Sequence, residues 1–422
     1  MTDTIQLIDA MEILDCRGDP TLRVFLQSSA GLSVWADVPA GKSTGAREAR
    51  ELRDGEKRFG GRGVKKAAKV IRTLIAKRLV GMRVTDQMGI DKALIALDGT
   101  RNKQRLGANA IVGVSLAVLR AGATASRVPI YRYLNPSGRV LPVPLVNLIN
   151  GGKHASNDLE FQEFCIFPVG AKTFSEAMEI SFDVNRVLYK LLTKKYGLVA
   201  GNTGDEGGYA PPMSSVRGAL DFLSEAVERV GATKKLVLGL DCAATHLYNA
   251  KTRTYGLEGK RYSTEKLADY YKALIKSYPI ASIEDPFSED DLEGFEIASK
   301  FGIQIVGDDF FCTNPDTIRE RVKRPTANAL LWKVNQIGTV TEALEASDLA
   351  YRNNMAVMVS ERSGDTEDSM ISDIVVGLNS GQIKTGAPVR GERTAKYNRL
   401  LEIERELGAA AKYAGKNFRI PV

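Results

Sequence analysis

From about residue 236 onward the chain repeats one unit: a short apolar run, a charged group, then an amphipathic segment. The apolar runs occupy residues 236–240, 280–283, 303–306, 329–334, 355–359 and 382–383. Helical patterns lie between and after them, at 264–277, 291–300, 315–323, 340–353, 367–378 and 393–407. Strand-then-helix units in series predict a parallel sheet with helices outside it. With further strands upstream, a closed barrel is favoured over an open sheet. No linker-like break or low-complexity stretch interrupts this region.

The first third has another rhythm. Residues 21–27 alternate Leu22, Val24 and Leu26 on one face, Ser28-Ser29-Ala30-Gly31 turns the chain, and 32–36 return as a partner strand. Helical patterns follow at 64–80 and 108–126. Leu134-Asn135-Pro136-Ser137-Gly138 reads as a linker. The expected organisation is an N-terminal α+β domain over residues 1–135 and a β/α barrel over 140–422. A chain of 422 residues accommodates two such domains.

Composition excludes several classes. The four cysteines, Cys16, Cys165, Cys242 and Cys312, show neither metal-ligand nor redox-motif spacing, and are too few for a disulfide framework. The +7 charge is mixed along the chain rather than clustered, so no nucleic-acid footprint is expected. Residues 1–10 lack the pattern of a signal peptide. No run is read as approaching the roughly 18 apolar residues of a membrane span. A cytoplasmic location follows.

What ends each apolar run is the functional signal. Asp241 closes the first run, Glu284-Asp285 the second and Asp308-Asp309 the third. Lys333 falls within the fourth, Glu361-Arg362-Ser363 follows the fifth, and Lys384 the sixth. In a barrel these positions converge on one mouth, where barrel active sites form. Carboxylates at Asp241, Glu284 and Asp308, with no histidine or cysteine read as a ligand beside them, suit a hard cation such as magnesium. Lys333 and Lys384 beside that cation are expected to lose basicity and to serve as bases. Glu163, in a strand-like run, and Glu206, in the glycine-rich stretch 202–208, are candidates to share one proton.

These residues resemble the enolase family nearly end to end. The resemblance rests on Arg17-Gly18-Asp19-Pro20-Thr21, Ser43-Thr44-Gly45, Glu51-Leu52-Arg53-Asp54-Gly55, Leu97-Asp98-Gly99-Thr100 and Gly107-Ala108-Asn109-Ala110-Ile111. It continues through Asn150-Gly151-Gly152 with His154, Gly204-Asp205-Glu206-Gly207-Gly208, Asp241-Cys242-Ala243 and Ile283-Glu284-Asp285. It ends with Lys333-Val334-Asn335-Gln336-Ile337-Gly338 and Gly381-Gln382-Ile383-Lys384-Thr385-Gly386. The implied fold is an eight-stranded β/α barrel, its second strand antiparallel, capped by the α+β domain. The implied reaction is magnesium-dependent dehydration of 2-phosphoglycerate to phosphoenolpyruvate through an enolate, with two magnesium ions per site.

The resemblance implies roles as well. Asp241, Glu284 and Asp308 would hold the first magnesium, and Ser43 the second together with the substrate phosphate. Lys333 would take the C2 proton and Lys384 would bind the carboxylate. Glu206, assisted by Glu163, would help the C3 hydroxyl leave. Arg362, Ser363 and His154 would face the phosphate. The family is a homodimer or higher homo-oligomer, binds a small phosphorylated carboxylate, and needs neither nucleic acid nor membrane.

Two departures mark this sequence. Glu361 stands where the family has a histidine, and Ala40-Gly41-Lys42-Ser43 replaces Ser-Gly-Ala-Ser. Ala40, Lys42 and Glu361 are therefore candidate specificity positions, and Lys42 is expected to reach Glu361 when its loop closes, or both to contact an altered substrate group. Two alternatives follow. One is a diverged enzyme with another substrate, such as a carboxyphosphonoenolpyruvate synthase of phosphonate biosynthesis; the other is a non-catalytic binding protein. Three weaker readings are a relaxed phosphate loop at residues 36–43, His246 as a ligand, and Tyr270-Tyr271 as stacking platforms; packing is favoured for the tyrosines.

Overall fold

The computed structural model describes residues 3–42 and 44–419. The N-terminal domain is a three-stranded antiparallel sheet, β1 (Ile5–Leu14), β2 (Pro20–Ser28) and β3 (Ser33–Asp37), backed by helices. The alternation of Leu22, Val24 and Leu26 turns all three into the core. Strand β1 was not foreseen from the sequence. Its exposed Leu7, Met11 and Leu14 blur the alternation that marks a strand with one wet face.

Helix Ala108–Ala125 packs on β2 and β3. Gly113 makes the close approach possible, since a Cβ there would lie 2.6 Å from a methyl of Val24. This helix is 18 residues long and apolar enough to cross a membrane, contrary to the sequence expectation, but 83% of it is buried inside the protein. It is the core helix of the capping domain. The helix expected at 64–80 is present in three pieces, Lys65–Val70, a π turn at Ile71–Ile75, and Ala76–Leu79.

Eight strands close the barrel: β4 (Val143–Asn150), β5 (Glu163–Phe167), β6 (Val237–Asp241), β7 (Ile280–Glu284), β8 (Gln304–Gly307), β9 (Ala329–Trp332), β10 (Ala356–Ser360) and β11 (Gln382–Lys384). Strand β5 is antiparallel to both neighbours. A loop without a crossover helix joins it to β4, and such a connection reverses the chain. The reversal puts the N-terminal end of β5 at the mouth, with Glu163 opposite Asp241. Inside, Leu145 and Phe167 fill the space over Gly239, where a Cβ would sit 2.6 Å from the Phe167 ring.

A buried carboxylate staples the two domains. Asp91 accepts from Ser115 Oγ at 2.7 Å and from Thr341 N and Oγ1 at 2.9 and 2.6 Å. Ser115 in turn accepts from Val340 N at 2.9 Å. Asp91→Ala leaves these donors buried and unpartnered, and is expected to cost about 3 kcal/mol. Urea unfolding of the variant checks this.

Candidate functional site

Seven barrel strands and one loop deliver charged groups to one mouth. Asp241 and Glu284 end β6 and β7, Asp308 follows β8, and Lys333 follows β9. Glu361, Arg362 and Ser363 follow β10, and Lys384 ends β11. Glu163 comes from the reversed β5, and Glu206 from the loop between helices Phe174–Tyr196 and Val216–Arg229. Glu206, His154 and Lys384 share one cavity with Asp241, Asp308 and Arg362. Ser43 lies outside the described residues.

Two ammonium groups stand among the acids. Lys384 Nζ lies 3.0 Å from Asp241 Oδ2, 2.8 Å from Glu284 Oε2 and 3.1 Å from Glu163 Oε1. Lys333 Nζ donates to Asp308 Oδ2 at 2.6 Å, and Gln336 Nε2 to Asp308 Oδ1 at 2.8 Å. Burial alone would push both lysines down. The carboxylates outweigh it, so Lys333 is pushed up to about 12 and Lys384 is also pushed well up. The loss of basicity expected of both lysines belongs to the site with its cation bound. The groups closest to each lysine are anions rather than cations.

The acids respond unequally. Burial raises Glu284, and Asp241 beside it adds to the rise. Burial also opposes ionisation of Asp308, but Lys333 and Arg362 outweigh it and Asp308 is lowered. Glu284 Oε1 is buried without a hydrogen-bond partner. An orphaned carboxylate oxygen among three acids is a feature a hard cation satisfies, so the donor set fits magnesium. Asp285, missed as a site residue, accepts from Asp308 N at 3.0 Å and Asp309 N at 2.8 Å and so sets the turn that presents Asp308. The paired acids at 284–285 and 308–309 were the available signal.

Glu163, Glu206 and His154 form a second group. His154 Nδ1 lies 3.2 Å from Glu206 Oε1 and 3.7 Å from Glu163 Oε1. Burial and the charge of Glu206 push Glu163 well up. Burial also acts on Glu206, but His154, Lys384 and a hydrogen bond from Glu163 hold it well below the usual range. The two carboxyls are thus pushed in opposite directions, Glu163 up and Glu206 down. Asn147 Nδ2, also missed, donates to Glu206 Oε2 at 3.1 Å.

Arg362 is held by a fork. Its Nη1 donates to Glu48 Oε2 at 3.0 Å and to Asn335 Oδ1 at 2.9 Å, and its Nη2 to Glu48 Oε1 at 3.1 Å. Ser363 Oγ accepts from Lys42 N at 3.1 Å and from Arg17 Nη1 at 3.2 Å. Ala40 exchanges both backbone hydrogen bonds with Gly364. Arg17 sits in a family-like stretch of the N-terminal domain and Glu48 between two of them, but nothing local in the sequence points either at the barrel.

The expected Lys42–Glu361 contact is absent from the described structure. Lys42 Nζ instead pairs with Asp205 Oδ2 at 2.8 Å, and Glu361 pairs with Arg393. The phosphate-loop reading fails as well. Residues 36–37 finish β3, Ala40 forms a bridge to Gly364, and no helix begins between residue 44 and residue 57. His246, in a short 3-10 turn, is pushed down by burial and by Lys153. Tyr271 is buried and donates to Pro286 O at 2.8 Å, and Tyr270 packs on it edge to face, so both are structural.

Two family models match the chain: "Enolase, N-terminal domain" over residues 5–134 and "Enolase, C-terminal TIM barrel domain" over residues 138–422. Among curated relatives, the chain is 53% identical to a Methanocaldococcus jannaschii protein named Enolase, over 99% of this chain and 98% of that protein. It is 51% identical to proteins of the same name from Methanopyrus kandleri and Pyrococcus furiosus. The alignments cover 98% and 97% of this chain and 99% and 96% of theirs.

Proposed function

The chain belongs to the enolase family, and on that premise we propose that its barrel mouth dehydrates 2-phosphoglycerate to phosphoenolpyruvate. The observation that carries this reading is the pairing, in one cavity, of a lysine beside a carboxylate cluster with Glu163 and Glu206, both set against His154.

Asp241, Glu284 and Asp308 would hold one magnesium, and Ser43 a second. When bound, magnesium supplies positive charge against the substrate carboxylate, offsetting the second negative charge that appears when the neighbouring proton leaves. Lys333 Nζ receives the C2 proton, and the electron pair of that bond passes toward the carboxylate beside Lys384. The Glu163–Glu206 pair then delivers its proton to the C3 hydroxyl. The C3–O bond breaks, C2 and C3 become doubly bonded, and water departs. Arg362, fixed in place by Glu48 and Asn335, brings a permanent positive charge to the phosphate, with Ser363 and His154 at the same cavity. The reading includes a cytoplasmic homodimer or higher homo-oligomer.

Neither a diverged phosphonate-pathway enzyme nor a non-catalytic shell is favoured, since relatives half identical over their full length carry the name Enolase. The test is steady-state formation of phosphoenolpyruvate, followed by its ultraviolet absorbance with saturating magnesium. Turnover of roughly 1–1,000 per second is expected. No turnover from a folded, magnesium-stabilised sample would exclude 2-phosphoglycerate as the substrate.

A further inference from the structure

Arg393 lies on helix Gly391–Leu407, away from the strand ends, and its side chain is completely buried. A buried guanidinium requires both a counter-charge and acceptors for its donors. Glu361 supplies the charge. Nη1 donates to Arg362 O at 2.8 Å, and Nη2 to Ser363 O at 2.8 Å and Asp205 O at 3.2 Å. Nη2 also reaches Cys16 Sγ at 3.5 Å.

One side chain thus grips two loops that face each other across the cavity. The first presents Arg362 and Ser363, the second Glu206. The segment just before Arg393 reinforces the grip, with Arg390 Nη1 donating to Gly204 O at 2.7 Å and Ala387 N to Glu206 O at 2.9 Å. Lys42 fastens the capping domain to both loops, through its N–H on Ser363 Oγ and its ammonium on Asp205.

We propose that Arg393 is a positioning residue that fixes the Arg362–Ser363 loop against the Glu206 loop, with Glu361 as its counter-charge and Lys42 as the tie to the capping domain. This rests on the reading that the cavity takes a phosphorylated carboxylate. It explains the two departures together. Glu361 spends its charge on Arg393 rather than on the substrate, so an anion there need not repel phosphate. Lys42 and Glu361 are coupled through Asp205 and Arg393 without touching.

The experiment compares wild type, Glu361→Gln, Arg393→Lys, Lys42→Met and the Glu361→Gln/Arg393→Lys double variant. Two readouts are taken: the kcat and KM split with 2-phosphoglycerate, and binding of inorganic phosphate with magnesium, measured by calorimetry without turnover. A lysine cannot span four acceptors on two loops, so Arg393→Lys is expected to raise KM and weaken phosphate binding about tenfold or more. Glu361→Gln is expected to do the same, with the double variant no worse than the more affected single variant, because both act through one group. Lys42→Met is expected to raise KM about threefold and to remove part of its salt dependence. If Arg393→Lys does not fold, Glu361→Gln carries the test. Phosphate binding and KM within twofold of wild type, a change confined to melting temperature, or losses that simply multiply would each overturn the proposal. A wild type that binds phosphate without turning over 2-phosphoglycerate would sink the functional reading and leave this one standing.

Discussion

Lys333→Ala is expected to lower turnover about 10⁴-fold while leaving the fold and stabilisation by magnesium in place. The reasoning starts from the proton. A hydrogen next to a carboxylate is barely acidic, so its removal needs a base held at the carbon. Lys333 sits at the end of β9 with its ammonium 2.6 Å from Asp308, inside the same cavity as Arg362 and Lys384. Alanine removes that base and leaves Asp308 with Gln336 as a donor, so the local turn survives. Exchange of the C2 hydrogen in heavy water separates the step from later ones. An alanine variant that still exchanges C2 hydrogen at the wild-type rate would move the base elsewhere.

The legible part of this protein is the part written in strand ends. All six downstream barrel strands lie where the short apolar runs placed them, because each is buried on both faces and so reads as an uninterrupted run. The upstream strands were harder. Strand β4 is buried throughout yet carries Asn147 and Asn150, β5 begins with the buried acid Glu163, and its reversed direction depends on a loop, which periodicity does not encode. The charged residues at the mouth were visible for the same reason as the strands. Their partners were not. Glu48 reaches Arg362 from 314 positions away, and Arg393 reaches Glu361 from a helix whose sequence looks like any amphipathic segment. In the described structure Lys42 pairs with Asp205 and Glu361 with Arg393, and opposite charges in sequence do not reveal such competitors in space. Asp205 and Arg393 were better placed.

Lys384→Met is expected to abolish turnover and to cost about 3–5 kcal/mol of stability in the presence of a chelator. Its ammonium lies within 3.1 Å of three buried carboxylates, those of Asp241, Glu284 and Glu163. Glu284 Oε1 already lacks a partner. Removing the cation that those three acids share leaves buried like charges facing each other, which folding relieves by taking up protons. The sign follows. Glu284 is raised above its ordinary value even with Lys384 present, and more so without it, so the folded variant binds more protons than the unfolded chain. Its stability should then fall as pH rises upward from the ordinary glutamate range, more steeply than that of wild type. Magnesium should restore much of the loss, since a divalent ion replaces the missing charge and binds the folded state alone, adding about 2.7 kcal/mol at a hundredfold excess over its Kd. Lys384→Arg separates charge from chemistry: it should recover stability in chelator without recovering turnover. Urea unfolding at two pH values, with and without magnesium, reads all of this. A Lys384→Met protein within 1 kcal/mol of wild type in chelator would mean that the three acids share their charge with other groups, and the barrel mouth would then not be the preformed cation site proposed for it.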